Sequence, residues 1–334
     1  MRSPLERVSA AAITDAVTSG WELRFDEFRY LPEGGGAYHW VGRAGATRWF
    51  VTCDDLDTKP WLGTDRNTVF ERLSAAYAAT MALREAGADF VVAPMASATG
   101  APAERVDERH CVSVLAYIDG SPGRWGESLA NDECEQLVTM LARLHASATT
   151  GPPVISREVD IPGRQSLELA LDELAIPWDA GPLSVDTRDA LTTHARGLTE
   201  ALEEFDRLAS NVGALEPCMA LTHGEPHPGN LIRSAGDLLL VDWDTIAVAR
   251  PERDLWMLAE VDVALLDRYR DLTGIAADSN ALRAFRLVWA LSDLAIFTAQ
   301  LRGEHGGGAD DQRALAGLRS ILAGHEPRPY GAAR

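Results

Sequence analysis

The sequence predicts an α+β protein in two lobes, a small N-terminal lobe of antiparallel strands and a larger, mostly helical C-terminal lobe. Three observations carry that expectation. The chain has 334 residues, room for about two domains at roughly 150 residues each. From Trp21 to Cys53 short apolar runs alternate with glycine-rich breaks, whereas beyond Gly120 apolar residues recur at helical spacing. At 46% hydrophobic and 24% charged residues, the composition is that of a globular protein with a sizeable core, which excludes wholesale disorder and fibrous classes.

The elements follow in order. WELRFDEFRYL (21–31), AYHWVG (37–42) and TRWFVTC (47–53) suit strands, separated by a PEGGG break (32–36) and a GRAGA turn (42–46). Phe70, Leu73, Tyr77 and Met81 repeat at helical spacing, and Gly87 ends that helix. FVVAP (90–94) and Cys111–Ile118 return to strand character, the latter closing at Asp119-Gly120. A helix is expected over 132–146, with Leu137, Met140, Leu141 and Leu144 on one face and Asn131 placed to cap it. A loop over 151–164 leads to helices at about 165–176 and 186–210, then to a hairpin over 231–243 turning at Ala235-Gly236-Asp237. The remainder, with Leu255, Leu258, Leu265, Phe285, Trp289, Leu294 and Phe297, reads as packed helices. The lobe boundary falls near residue 117, giving lobes 1–116 and 117–334, and a small-molecule site is expected at their junction.

Acidic residues number 50 against 31 basic ones, a net charge of −19 that repels phosphate backbones and anionic lipid. Nucleic acid and membranes are therefore poor partners. Among the basic residues a single one, Lys59, is lysine. Cys53, Cys111, Cys134 and Cys218 are scattered without a C-x-x-C pair, which fits neither a zinc cage nor a disulfide framework. The N-terminal residues mix charged and polar types where a secretory signal needs an apolar core, and no run approaches the roughly 18 apolar residues of a membrane span. A cytoplasmic protein is expected.

The stretch LTHGEPHPGNLIRSAGDLLLVDWDT (221–245) carries the chemistry. It sets His223, Gly224 and Glu225 on a loop before the hairpin, Asn230 at its entrance, Asp242 just past its apolar strand and Asp244 two residues on. Phosphoryl transfer needs such a division: one carboxylate for the hydroxyl proton, and an amide oxygen with a second carboxylate for a divalent cation. His223, Glu225 and His227 also suggest a zinc deaminase, but the downstream P-C-x-x-C of that signature is missing.

These residues resemble the aminoglycoside phosphotransferase and choline-kinase-like superfamily, in which H-G-D-x-x-x-x-N is followed after a hairpin by an apolar-D-W/F-D/E element. Here the two pieces are His223-Gly224-Glu225-Pro226-His227-Pro228-Gly229-Asn230 and Val241-Asp242-Trp243-Asp244. The resemblance implies a protein-kinase-like fold and a Mg²⁺-dependent kinase moving the γ-phosphoryl of ATP or GTP to a small-molecule hydroxyl. It implies Glu225 as base, where the family has Asp, and Asn230 and Asp242 as metal ligands. His223 is implied as scaffold beneath the loop, and Asp244 and Asp254 as supporting acids. A glycine-rich hairpin over the phosphates would be Gly35, Gly36 and Ala37. The strand lysine is missing, Thr52 standing in its place, and Lys59 is the expected substitute, with Glu71 as its helix partner and Glu85 as the alternative. Val114, Leu115 and Tyr117 would form the hinge that binds the purine edge. The second lobe would build the acceptor pocket, with Asp254, Glu260, Asp262 and Asp293 facing a cationic acceptor and Trp178, Trp256 or Trp289 offering stacking surfaces. The pattern looks closest to bacterial antibiotic phosphotransferases acting on aminoglycoside, spectinomycin or nucleoside antibiotics. A metabolite kinase for choline, an amino alcohol or a sugar remains an alternative, as does a nucleotide-binding pseudokinase.

Overall fold

The computed structural model describes residue 1 and residues 8–147, 154–216 and 218–324. Its helices are α1 (Ala10–Trp21), α2 (Arg66–Glu85), α3 (Asn131–His145), α4 (Arg164–Asp172), α5 (Ser184–Gly213), α6 (Glu252–Ala259), α7 (Ala264–Thr273), α8 (Ser279–Arg302) and α9 (Ala309–Leu322). Its strands are β1 (Glu27–Leu31), β2 (Ala37–Ala44), β3 (Thr47–Asp55), β4 (Glu104–Arg105), β5 (His110–Ala116), β6 (Ser121–Pro122), β7 (Ala220–Thr222), β8 (Leu231–Ser234), β9 (Asp237–Leu240) and β10 (Ala247–Ala249). The fold class is the expected one, an N-terminal antiparallel sheet followed by a helical part. Contacts divide the chain into two compact units, one of Met1–Arg124, Arg143–Ser156 and His223–Val248, the other of Trp125–Ala142, Arg157–Thr222 and Ala249–Arg334. The hairpin stretch thus clusters with the N-terminal strands.

In the first unit an antiparallel sheet runs β1-β2-β3-β5-β4. Its apolar face carries Trp40, Val51, Val112 and Val114, and α1 covers it with Ile13, Val17 and Trp21. Each such side chain contributes about 1.5–3 kcal/mol on burial. That helix is absent from the expected order, which began at the Trp21 strand. Its signals are present in the sequence: Ser9 Oγ accepts from Ala12 N–H at 3.1 Å as an N-cap, and Ile13, Val17 and Trp21 recur every four residues. Likewise FVVAP forms a single bridge, Val91 to Leu240, instead of a strand. Pro94 has no N–H to extend a ladder.

A second sheet in this unit runs β6-β8-β9. The β8–β9 hairpin turns on Ala235 (φ 53°) and Gly236 (φ 94°), two left-handed residues whose twist matches that of the strands. Gly123, just past β6, is required by close approach, since a Cβ there would stand 2.1 Å from the Pro228 carbonyl oxygen. The loop before β8 is thereby held against the segment that follows β5.

The second unit is built on α4, α5, α8 and α9, whose Leu167, Leu191, Phe205, Leu294 and Leu318 share one core. Helix α8 is long and apolar enough to cross a membrane by composition. Its Phe285, Leu291, Leu294 and Leu301 are buried inside the protein, which accounts for that character. Helix α4 ends at Asp172, short of the expected 176, because residues just before Pro177 are steered away from helical geometry. Residues 151–153 of the expected loop lie outside the described residues.

Candidate active site

The geometry of the 221–245 stretch follows from a few backbone bonds, all inside the first unit. Gly224 has φ 101°, a turn that suits glycine and sends the chain sharply from His223 into Glu225. Glu225 N–H donates to His223 Nδ1 at 3.2 Å, so that nitrogen is the acceptor. The other ring nitrogen, Nε2, then carries the hydrogen and donates to the Val241 carbonyl at 2.9 Å. The ring is fully buried, edge-on to Trp243 at 4.6 Å. With both nitrogens engaged by backbone, His223 is a neutral scaffold, and the zinc arrangement loses its first ligand. Burial pulls the pKa of His227 down to about 3, so its ring is neutral as well.

Val241 is gripped on both sides. Its N–H donates to the Asn230 carbonyl at 3.0 Å while its C=O accepts from His223. Four residues on, Thr245 Oγ1 donates to the His223 carbonyl at 2.8 Å. The Asp242-Trp243-Asp244 segment is therefore bracketed by two attachments to the loop. Between them Asp242 takes the left-handed φ of 65°, a conformation that Asp tolerates better than most residues. The Asn230 side chain donates through Nδ2 to the Glu225 carbonyl at 2.9 Å, which turns Oδ1 away from that contact.

The Asn230 amide oxygen and the Asp242 carboxylate, both hard oxygens, are the candidate donors for a divalent cation. The electrostatics fit a cation. Asp242 is exposed, yet the protein atoms around it, then the Asp244 and Glu225 carboxylates, push its carboxyl above the usual range. Among the described residues no three His, Cys, Asp or Glu side chains converge as a metal-holding group. Two protein ligands are what Mg²⁺ ordinarily takes when phosphates and waters supply the rest.

Lys59 enters from the end of β3. A single turn of 3₁₀ helix (56–58) brings the chain back, and Nζ lies 2.6 Å from Asp244 Oδ2 and 2.9 Å from Asp54 Oδ1, with 1% of the side chain exposed. Burial opposes its charge, but the Asp244 and Asp54 carboxylates outweigh that and raise its pKa above the ordinary value. The expected partners do not take part: Glu71 and Glu85 are exposed on α2. Helix α2 contributes Tyr77 instead, whose hydroxyl donates to Asp54 Oδ2 at 3.0 Å. Asp54 and Tyr77 are absent from the expected site. A strand run of two aspartates reads as a turn signal, and Tyr77 as a core aromatic. The glycine-rich connection 32–36 reaches β2 at Ala37, which the register sets directly opposite Asp54. Gly35 and Gly36 therefore precede the strand end nearest Lys59.

The backbone of the expected hinge residues points to two different edges. Tyr117 N–H donates to the Arg48 carbonyl at 3.3 Å, which fixes the alternation of the β3–β5 ladder. Leu115 and Tyr117 accordingly give their backbone groups to β3. Val114 and Ala116 face the other edge, where the Val114 carbonyl accepts from Met95 N–H at 2.7 Å. Ala116, which is not among the expected hinge residues, is exposed.

In the second unit Asp254 is fully buried in the first turn of α6. Of the other acids, Glu260 lies 3.4 Å from Arg286, and Asp262 accepts from Ala264 N–H at the start of α7. Asp293 on α8 is held up at about 7 by burial. One turn before it Trp289 stacks on Trp125 at 5.1 Å and meets Trp256 at 5.9 Å. Trp178 belongs to the core, under Arg302.

Set against known protein families, residues 42–288 match the phosphotransferase enzyme family, APH, over most of the chain. The chain belongs to that family. This phosphotransferase is 29% identical over 303 residues to Protein StrN of Streptomyces griseus, covering 86% of each. A solved spectinomycin phosphotransferase, in complex with ADP and spectinomycin, superposes with a TM-score of 0.72 at 13% identity, over 95% of this chain and 98% of that one. Choline kinase LicA from Streptococcus pneumoniae superposes at 0.52 with 14% identity, over 93% and 98%. The kinase-like fold of the phosphotransferase is common to all three structures.

Proposed function

We propose that the protein transfers the γ-phosphoryl of ATP or GTP to a hydroxyl of a small antibiotic, as a Mg²⁺-dependent enzyme of the cytoplasm. The observation that carries this is the double grip on Val241, which ties Asp242 to the loop bearing Glu225 and Asn230. Residues 1–116 form the nucleotide lobe in this reading, and 117–334 the catalytic and acceptor lobe. Gly35, Gly36 and Ala37 cover the phosphates, and the outward backbone of Ala116 meets the purine edge, the Val114 carbonyl being already taken by Met95 N–H. Asn230 and Asp242 hold the Mg²⁺, which when bound neutralises charge on the phosphates. Glu225 orients the acceptor hydroxyl and accepts its proton. The hydroxyl oxygen bonds to the γ-phosphorus as the bond to the β-bridging oxygen breaks, releasing the nucleoside diphosphate. Asp244 keeps Lys59 in place, and Asp254 is a supporting acid of the second unit.

The acceptor reading draws on the second unit. Trp125 offers an exposed indole against Trp289, whose buried Nε1 has no partner among the described residues, and Asp293 follows one turn later. An indole face beside a buried carboxyl suits a protonated amine carried on a ring. The spectinomycin complex of a related fold and the family membership favour an antibiotic over a housekeeping metabolite.

The test is a mass-spectrometric search for phosphorylated product with Mg²⁺, ATP or GTP, and a panel of hydroxylated antibiotics, choline, amino alcohols and sugars. A phosphorylated antibiotic is expected. Product only on a metabolite, or none on any acceptor, overturns the antibiotic assignment. On the acceptor so found, Trp289→Ala is expected to raise KM about 10-fold, the loss of roughly 1.4 kcal/mol of stacking and cation–π contact, with nucleotide KM unchanged.

A further inference from the structure

The lysine of a kinase-like nucleotide site ordinarily projects from the strand and is fixed by a helix glutamate. Here the strand position is Thr52, and both helix glutamates that could serve face solvent. What occupies their place is a four-residue network within the first unit. Side chains alternate along a strand, so Thr52 and Asp54 share one face of β3. Both are buried. Lys59, returning from the 3₁₀ turn, brings its ammonium to that same face, 2.9 Å from Asp54 and 2.6 Å from Asp244. The second oxygen of Asp54 accepts the Tyr77 hydroxyl, from the helix that elsewhere supplies the glutamate.

We propose that Lys59 is a relocated phosphate-binding lysine, that Asp54 is its positioning residue in place of a helix glutamate, and that the Tyr77 hydroxyl fixes Asp54. The inference rests on the phosphotransferase reading above. An ammonium has three N–H donors in a tetrahedral array. Asp54 and Asp244 take two and so fix the direction of the third, which is the one left for a phosphate oxygen. Arginine could not replace it, because a planar guanidinium cannot point one donor at each of three converging oxygens. Its uniqueness in a chain otherwise using arginine follows. Asp54 lies opposite Ala37, where the glycine-rich connection enters β2, so the network sits at the strand ends that would face the phosphates.

The experiment is calorimetric titration of the full chain with Mg²⁺-ATP and Mg²⁺-GTP, which requires no knowledge of the acceptor. Lys59→Met is expected to weaken binding about 100-fold and Asp54→Asn about 10-fold, the range of charge-assisted hydrogen bonds. Tyr77→Phe, which keeps the packing of the ring, is expected to weaken it roughly 3-fold, with a thermal midpoint a few degrees lower from the acceptor left unpaired on Asp54. The Thr52→Lys/Lys59→Met double variant restores the ammonium to the strand face and is expected to recover most of the lost affinity. Adding Asp54→Asn to it removes that recovery. A purely structural role for Asp54 predicts lower thermal midpoints but no rescue. Wild-type affinity in folded Asp54→Asn, or no recovery in the double variant, overturns the proposal. A wild-type protein that binds neither nucleotide instead overturns the phosphotransferase reading itself.

Discussion

Asp242→Ala abolishes phosphoryl transfer, by about 10³-fold or more, and leaves the protein folded. The size follows from charge stabilisation by a bound cation, worth several kcal/mol at 1.36 kcal/mol per tenfold. The folding half follows from the electrostatics of this chain. Asp242 is exposed, but the protein around it and the facing Asp244 and Glu225 carboxylates disfavour its ionised form, an effect that solvent screens. Its φ of 65° is a conformation that alanine tolerates less well than aspartate. Removing the carboxylate relieves the like-charge contact while that turn costs alanine more, and a thermal midpoint close to wild type is expected in metal-free buffer. The bracket at Val241 and Thr245 is backbone-based at the loop and survives the substitution. Two measurements on one variant, product formation and thermal unfolding, check this. A variant that keeps a tenth of the wild-type rate removes Asp242 from the metal site. One that unfolds makes Asp242 a structural acid.

The separation between what the sequence disclosed and what it hid follows the range of the interactions. His223, Glu225, Asn230, Asp242 and Asp244 lie within 22 residues of one another, on a loop and a hairpin whose turn residues are explicit, so spacing alone orders them. Strand and helix positions in the N-terminal sheet were legible for the same reason. Helix α1 carried its cap and its four-residue repeat in plain view, yet its short run of apolar positions begins among residues of mixed character. The network around Lys59 was legible only at one end. A lone lysine marks itself by its rarity, but its partner Asp244 is 185 residues away and meets it only through the fold. Asp54 and Tyr77 had no spacing to betray them, since Tyr77 keeps the helical period of a core position while its hydroxyl does polar work. Which of Val114, Leu115 and Tyr117 turn their backbone outward was not legible either, because a strand's outward edge depends on which pairs of the ladder are bonded, and that is fixed by the Tyr117–Arg48 bond.

Glu225 is where this phosphotransferase departs from its family pattern, and its geometry makes the departure testable. The backbone of Glu225 is held three times: its N–H by His223, its carbonyl by His227 N–H at 2.8 Å and by Asn230 Nδ2 at 2.9 Å. With the main chain so fixed, the side chain's length is the variable left to set where the carboxylate stands. Glu225→Gln keeps that length and removes the proton acceptor, so kcat is expected to fall about 10²–10⁴-fold with nucleotide KM unchanged. Glu225→Asp keeps the acceptor and withdraws it by about one carbon–carbon bond, roughly 1.5 Å. A misplacement of about 1 Å costs on the order of 10²-fold, so the aspartate variant is expected to fall well below wild type despite restoring the family's usual residue. The pair discriminates the reasons for the departure. An aspartate variant as fast as wild type means that the loop adapts and the extra methylene is incidental. A glutamine variant at wild-type rate means that the hydroxyl loses its proton without this carboxylate, and that Glu225 only orients the acceptor. Both slow, with glutamine the slower, places the proton on Glu225 and makes the longer side chain a fitted part of a loop set further back from the acceptor.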